Sequence, residues 1–588
     1  MANVAKTYTP KTAQELKEAL EKCLKEKKVP VFLSRKNVNE KSLIDDEELK
    51  DIEVAFIDVE KLKQKEEVGE SPTATEAMGV NEETMQELQA LVGATPIFRI
   101  EKFQNWAATQ ESCVISCNPK TRDEMTKVIK AASEVKVGIR CAGQRHSWAP
   151  VFPDDNQICI NVEDMISDYG WIQNSNCREK REVDVMTGAT TGDLKKFQLK
   201  HKMNLKTNVI LDVVQMVSVV VTGCHGVGED THCLSDYVVR MRVFDSKGDL
   251  KTYCINDDPK ERFRAMSASF GCFGIVYDVT LKMDKELIIK TDNSYKPLKD
   301  VFKTTELKNI VTKNWAVQIF WFPFNAFPFG KYDLEEDDVW VRTFNKETLS
   351  DEENVKGKLY YALKAVSDYG TEEGLRIVSP YLTEYPKLVP IFQKSAFSAI
   401  KHLFYPEGPI YQELPHAVHF RKYIEKAEVY DLEFVFDYHD DFDTVLKIIN
   451  VVVESVKSYY DRDQYPLNVS LEMRFMAYSD AYLGTGILGN KAKPYCGSGH
   501  VVCIEILSLK GTPQWTEFSK DVGRKWMDLG GVPHLAKQYD HIPGIFNHVR
   551  EKMEYPIKLF KEQLDKSGAD PNGMFLNSGM RELLGLNE

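Results

Sequence analysis

Apolar residues three and four apart predict amphipathic helices over 15–27, 81–91, 118–132, 191–198 and 443–459, with a helical tail from about Lys520. Short β-prone runs predict strands over 29–33, 53–59, 135–141, 158–162 and 183–187. Beyond Leu205 a valine-rich run also reads as strand, as do 236–244 and 274–281. From about Leu287 the pattern changes. Runs 315–322, 339–344, 429–437, 469–475 and 500–506 read as strands of a mostly antiparallel sheet. Acidic 45–51 reads as a solvated loop or helix face. The stretch 61–77, charged and then rich in Ser, Pro and Thr, reads as a linker.

Two stretches follow the same order. Thr9-Pro10-Lys11-Thr12 matches Asn118-Pro119-Lys120-Thr121 at an offset of 109, and Phe56–Glu60 matches Cys159–Glu163 at an offset of 103. Gly79–Leu88 loosely matches Gly188–Phe197, again at 109. Residues 8–95 therefore read as a degenerate duplicate of 117–200, with chance similarity of two α/β units as the alternative. The copy lacks the glycine and histidine of the 142–147 loop.

Composition narrows the function classes. The 588 residues are 43% hydrophobic and 28% charged, an ordinary globular mix sufficient for several domains. The net charge of −13 argues against nucleic acid as a partner. Residues 1–95 hold 14 Lys and Arg against 20 Asp and Glu, so part of that acidity sits in the extension. No secretory h-region opens the chain and no run is long and apolar enough to span a membrane, so a cytoplasmic protein is expected. Nine of the 12 cysteines lie between Cys113 and Cys272, with no CxxC pair. Free thiols in a reducing compartment, and no zinc site, are expected.

Three small-residue segments suggest close backbone approach to a ligand. In Arg140–Trp148 a strand runs into Ala142, Gly143, Gln144, Arg145, His146 and Ser147. In Val221–Gly228, Thr222, Gly223, Cys224, His225, Gly226 and Gly228 follow a β-prone run, and backbone N–H groups there suit a pyrophosphate. Ser269–Leu281 leads through Gly274, Ile275 and Val276 into a strand. Alone, each reads equally as a structural turn. Together with Phe103-Gln104-Asn105-Trp106, Leu471-Glu472-Met473-Arg474-Phe475, Pro533-His534-Leu535-Ala536-Lys537 and Asp570–Asn577, they resemble, over about 96–588, the vanillyl-alcohol-oxidase superfamily of FAD proteins, closest to its aldonolactone oxidase branch.

The resemblance implies an α+β fold: an FAD-binding domain of two subdomains (96–284), a cap with a large antiparallel sheet (285–525), and a C-terminal segment returning to the flavin (526–588), behind the extension 1–95. It implies FAD joined covalently to His146, with the loop residues above and Lys537 lining its site. Glu472, Arg474 and Lys537 become the catalytic residues for hydride transfer from a hydroxyl carbon of a sugar lactone, sugar or polyol to flavin N5. The small-molecule donor would be followed by oxygen or another electron acceptor. Glu472 and Arg474, two apart on a strand, share a face; without the resemblance a structural cross-strand pair is the simpler reading.

Departures from the family pattern carry their own expectations. Val217-Ser218 stands where the family has small residues, and Val209 at its small gate position, which implies restricted oxygen access and dehydrogenase-like behaviour. Leu535 replaces a tryptophan and is expected to reshape the pocket, opening a specialised metabolite as substrate; a flavin-binding scaffold without turnover is the rival outside enzymes. Four further signals are set aside. Gly484–Gly489 spells GxGxxG without strand–turn–helix context. Asn468 heads a core strand and is not read as a glycosylation site. Asp437–Asp441 reads as a solvated acidic turn. His534, His541 and His548 are separated by Pro543-Gly544 and do not form a metal face.

Overall fold

The computed structural model describes residues 82–586 except 168, 176–180, 258, 328–331, 349–374, 377, 422–423, 439 and 488–498, together with the strands Val4–Tyr8, Val29–Leu33 and Val54–Asp58 and helical positions 18, 19 and 22. The rest of the 15–27 helix, the 45–51 acidic stretch and the 61–77 linker lie outside the described residues.

Two larger sheets build residues 99–282. One has four strands in the order Arg99–Gln104, Glu111–Cys117, Ile158–Asn161, Ile139–Ala142; the first pair is antiparallel and the others are parallel. Helix Arg122–Val135 makes its crossover. Thr121 caps it by accepting from Glu124 N, Asp123 and Glu124 favour its positive N-terminal end, and Met125, Val128, Ile129 and Ala132 bury one stripe. The second sheet is antiparallel, ordered Leu250–Cys254, Val238–Phe244, Ile275–Lys282, Glu182–Met186, Ile172–Asn174.

The valine-rich run departs from its strand reading. Met216–Val221 is a short helix, buried at Met216, Val217, Val219 and Val220. With neighbours on nearly all sides, burial rather than β-branched propensity decides its state, and no amphipathic period survives to be read.

The second half is dominated by an eight-stranded antiparallel sheet: Gly408–Glu413, Ile288–Pro297, Asp338–Glu347, Ala316–Trp321, Ser470–Ala477, His500–Leu509, Val429–Asp437 and Val532–Pro533. One face packs its apolar side chains, such as Phe434, Ile504 and Met473, in a core shared with helices Phe442–Tyr460 and Trp515–Asp528; Trp526 lies 5.4 Å from Phe434. The other face carries Gln318, Glu472, Arg474 and Glu505 toward the first half.

The motifs set aside earlier have structural places. Asn468 is buried, its amide bonded to Thr512 Oγ1, Ser508 Oγ and Leu509 N. Asp441 caps the Phe442–Tyr460 helix. Gly484–Ile487 forms a turn. His541 meets Ser519, His548 meets Gly531 O, and the His534 ring lies 5.7 Å from that of His225.

The N-terminal strands form a parallel sheet in the order first, third, second. The three parallel strands of the 111–161 unit have the same order. Ile57 pairs with both Tyr8 and Phe32, as Ile160 pairs with both Cys117 and Cys141. The offsets of 109 and 103 carry each of these residues onto its counterpart.

Candidate functional site

A cavity of about 380 Å³ runs between the two halves, within the size range of ligand pockets. One wall is the loop after strand Ile139–Ala142, and its shape follows from Asn105. The Asn105 amide donates to Ser147 O (2.8 Å) while its carbonyl accepts from Thr109 N and Gln110 N. Trp106 N bonds Arg145 O, and the Trp106 ring stacks on His146 at 4.6 Å. Arg145 adopts φ 59° and commits its guanidinium to Glu101 (2.8 Å) and Asn161. His146 is left facing the cavity with Nδ1 buried and without a hydrogen-bond partner; burial lowers its pKa to about 4, so the ring is neutral.

Gly143 is needed for packing. A Cβ there would lie 2.1 Å from Gln215 Oε1, which accepts from Gln144 N. Ser218, in the position expected to be small, also borders this loop, 3.3 Å from that Cβ.

The opposite wall is the polar part of the cap sheet. Arg474 Nη2 bonds Glu505 Oε2 (2.9 Å) and Glu433 Oε1 (3.2 Å), and its Nε lies 3.5 Å from Glu472 Oε1. Lys537 Nζ reaches the same Glu505 oxygen at 3.1 Å, pairs with Asp431, and lies 4.8 Å over the Trp148 ring. Gln318 donates to Glu472. Burial works against the charge of both cations, but the carboxylates outweigh it and hold both pKa values above the usual range. Burial, with Glu505 and Glu433 adding to it against the pull of Lys537, pushes Asp431 up to about 8. Glu472 is raised well above the ordinary carboxylate value by burial, with Glu505 adding to it against the pull of Arg474. Glu433 goes the other way: burial is outweighed by His225, Arg474 and Lys537. Four carboxylates face Arg474 and Lys537 here, and Asp431 and Glu472 are pushed upward among them.

Arg474 Nε, Asp431 Oδ1 and Glu433 Oε2 are buried without hydrogen-bond partners, and all three residues border the cavity. His225, Glu433 and His534 offer ligand atoms within 4.8 Å of one another. The Glu433 carboxylate is already bonded to His225 (2.8 Å) and Arg474, so a metal cation there would face Arg474 and Lys537.

Of the residues singled out from sequence, Ala142–Ser147, Thr222, Cys224, His225, Ile275, Val276, Glu472, Arg474 and Lys537 line this one cavity, as does Val209. Gly223, Gly226 and Gly228 do not. Gly223 (φ 65°) lets the Leu483–Thr485 backbone approach, Gly226 makes room for Thr207, and Gly228 bonds Phe475 O. They bring chain segments together rather than lining the cavity. Leu535 also departs from expectation: it packs in the core, while His534 and Ala536 on either side of it, and Lys537 beyond, line the cavity. The Cys224 thiol is raised by burial and held in its protonated form.

Asp431, Glu433, Glu505 and Gln318 were not singled out from sequence. The available signal was a charged residue inside an apolar strand, as Glu505 is within Val501–Leu507, because a buried charge requires partners.

An FAD group fits these walls: a buried, unpartnered imidazole nitrogen, glycine-bearing loops and unmatched polar atoms converge on one cavity. Residues 115–253 match the family model of an FAD binding domain, and residues 279–583 match that of D-arabinono-1,4-lactone oxidase. L-gulonolactone oxidase of Bos taurus is 25% identical over 224 residues, covering 38% of this chain and 49% of the relative. D-arabinono-1,4-lactone oxidase of Kluyveromyces lactis is 24% identical over 233 residues, covering 38% and 42%. The chain thus spans about half the length of these relatives. L-gulono-1,4-lactone dehydrogenase of Mycobacterium tuberculosis is 20% identical over 497 residues, covering 82% of this chain and 99% of the relative. A solvent-stable cholesterol oxidase shares the fold with a TM-score of 0.63 at 16% identity, covering 83% of this chain and 98% of its own. Cholesterol oxidase from Brevibacterium sterolicum does so at 0.64 and 14%, covering 83% and 97%. The lactone-oxidase match takes in more than half of the residues, and the chain belongs to the D-arabinono-1,4-lactone oxidase family.

Proposed function

We propose that the chain is an FAD-dependent oxidoreductase that converts a hydroxyl-bearing carbon of its substrate into a carbonyl. The observation that carries this reading is the convergence of Glu472, Arg474 and Lys537 on the wall of the cavity that also holds His146. A flavin-binding scaffold would not require such a cluster. When bound, FAD would take up the hydride at N5.

The chain's own residues orient the substrate and manage its proton. A Glu472 carboxylate in its ionised form accepts the hydroxyl proton. Arg474 and Lys537 hold the substrate oxygen and stabilise negative charge as it develops. His146, neutral and with a free Nδ1, is the site for covalent attachment of the flavin. Residues 96–284 then form the flavin domain, 285–525 the cap and 526–588 the returning segment, with 1–95 a degenerate duplicate. A sugar lactone is the substrate class the relatives suggest. Val209 on the cavity wall favours an acceptor other than oxygen. A specialised metabolite is the second reading, favoured by Phe320, Phe322, Trp340, Tyr405 and Phe420 on the cavity wall.

Anaerobic addition of substrate to the flavin-loaded protein is expected to bleach its visible absorbance, with slow recovery in air. Acid-precipitated wild-type protein is expected to keep flavin fluorescence in the pellet, and His146→Ala to release it. Release from the wild type would remove the covalent assignment. Failure of every lactone and alcohol to bleach the flavin would remove the oxidoreductase reading.

A further inference from the structure

One row of cross-strand partners on the cavity face of the cap sheet changes character half-way along. Glu433, Glu505 and Glu472 stand directly opposite one another on three adjacent strands. The row continues on the next three strands as Phe320, Trp340 and Tyr295. Adjacent strands lie ~4.8 Å apart, so the Trp340 position is about 10 Å from that of Glu472. The charged and aromatic parts border the same cavity: Phe320, Phe322, Trp340, Tyr405 and Phe420 line it together with Glu472 and Arg474.

The aromatic part is ordered. Phe320 and Trp340 stack at 4.7 Å and 25°, and Tyr405 lies 4.6 Å from Trp340, tilted by 33°. Phe420 stands edge-on to Trp340 at 6.3 Å. The polar atoms of these rings are bonded to protein: Trp340 Nε1 donates to Asn293 Oδ1 (3.1 Å), the Tyr295 hydroxyl to Tyr405 O (2.6 Å) and the Tyr405 hydroxyl to Phe420 O (3.4 Å). What they offer a ligand is ring surface. A sugar hydroxyl laid against it would give up water without gaining a partner from these rings, whereas a flat apolar body would gain burial and ring–ring contact.

We propose that the substrate is an alcohol with an aromatic or fused-ring apolar body. Its hydroxyl carbon sits over Glu472, Arg474 and Lys537, and its body reaches about 10 Å across Phe320 and Trp340. This rests on the reading of the site as alcohol-oxidising. The oxidation removes two electrons: a hydride leaves carbon for FAD, the hydroxyl proton goes to a carboxylate, C–O becomes C=O, and a separate electron acceptor restores the flavin.

The test uses the full chain loaded with FAD, mixed anaerobically with naphthalenemethanol, L-gulono-1,4-lactone or sorbitol. Naphthalenemethanol is expected to reduce the flavin with an apparent Kd about tenfold or more below that of the lactone. Phe320→Leu and Trp340→Leu are expected to weaken that preference about tenfold, with the flavin absorbance spectrum reporting intact folding. Reduction by the lactone or sorbitol, but not by naphthalenemethanol, overturns the apolar-body assignment and leaves the oxidoreductase reading standing. Reduction by none of the three, nor by any wider set of alcohols, overturns both.

Discussion

Arg140 lies buried among three backbone carbonyls. Its guanidinium donates to Val151 O through Nε and Nη2, to Phe270 O through Nη2 and to Phe575 O through Nη1. No neutral side chain supplies that many donors in one plane. Arg140→Leu leaves three buried acceptors unpaired, at ~1–3 kcal/mol each. Thermal unfolding should therefore show a loss of several kcal/mol, with Arg140→Lys recovering little; an unchanged melting temperature would count against the hub role. Glu472 gives a pH prediction. Its pKa is raised, so the proton-accepting form is populated only above that raised value, and kcat/KM should increase with pH through a pKa above the ordinary ~4.3 of glutamate. Glu472→Gln should lower kcat by about 10²–10⁴-fold and flatten that limb. A mutant that keeps the limb would assign the proton to another group.

Elements with a clear hydrophobic period were legible. The strand Val429–Asp437 falls where its alternation placed it, and the Phe442–Tyr460 helix starts one residue early and ends one residue late. Strand Ile288–Pro297 was missed because its buried positions are Ile289, Thr291, Asn293 and Tyr295, two of them polar. The period of two is present, but hydropathy does not show it; Asn293 is there to receive the Trp340 N–H. Gly408–Glu413 was missed at the sheet edge, where only Gln412 and Glu413 of its six residues are buried. At the N-terminus, the offsets of 109 and 103 connect equivalent register positions of two parallel units, which is what the duplicate reading expects. The offset of 109 sets Ser34 and Asn37 against Gly143 and His146. We therefore expect one flavin per chain, read as the ratio of flavin to protein absorbance. A ratio near two would mean that the copy still binds.

At the scale of the whole molecule, the candidate site is a meeting of distant segments. Its motif-bearing half was readable because Asn105, His146, Glu472, Arg474 and Lys537 sit in recognisable local strings. Asp431, Glu433 and Glu505 were not, because their strings are ordinary strand sequence and only register brings them together. The proposed gate role of Val209, which lines the cavity, makes a prediction at this scale, since it concerns traffic between cavity and solvent. Val209→Gly should speed reoxidation of the reduced flavin in air by about tenfold or more, a barrier change of about 1.4 kcal/mol. An unchanged rate in stopped flow would place the oxygen barrier elsewhere.

The segment from Val532 onward ties into both halves. Val532-Pro533 adds to the cap sheet, Ala536 O accepts from Trp148 N, and Met574 O accepts from Ile139 N. Asn577 donates to the carbonyls of Pro150 and Phe152. On the ribosome these residues emerge long after the segments they bind. The loop bearing His146 is made some 390 residues before Lys537, the interval between their positions, and must wait for it. A chain cut before Ala536 would keep the His146 loop and the cap sheet yet lack Lys537 and the bond from Trp148 N that joins the two walls of the cavity.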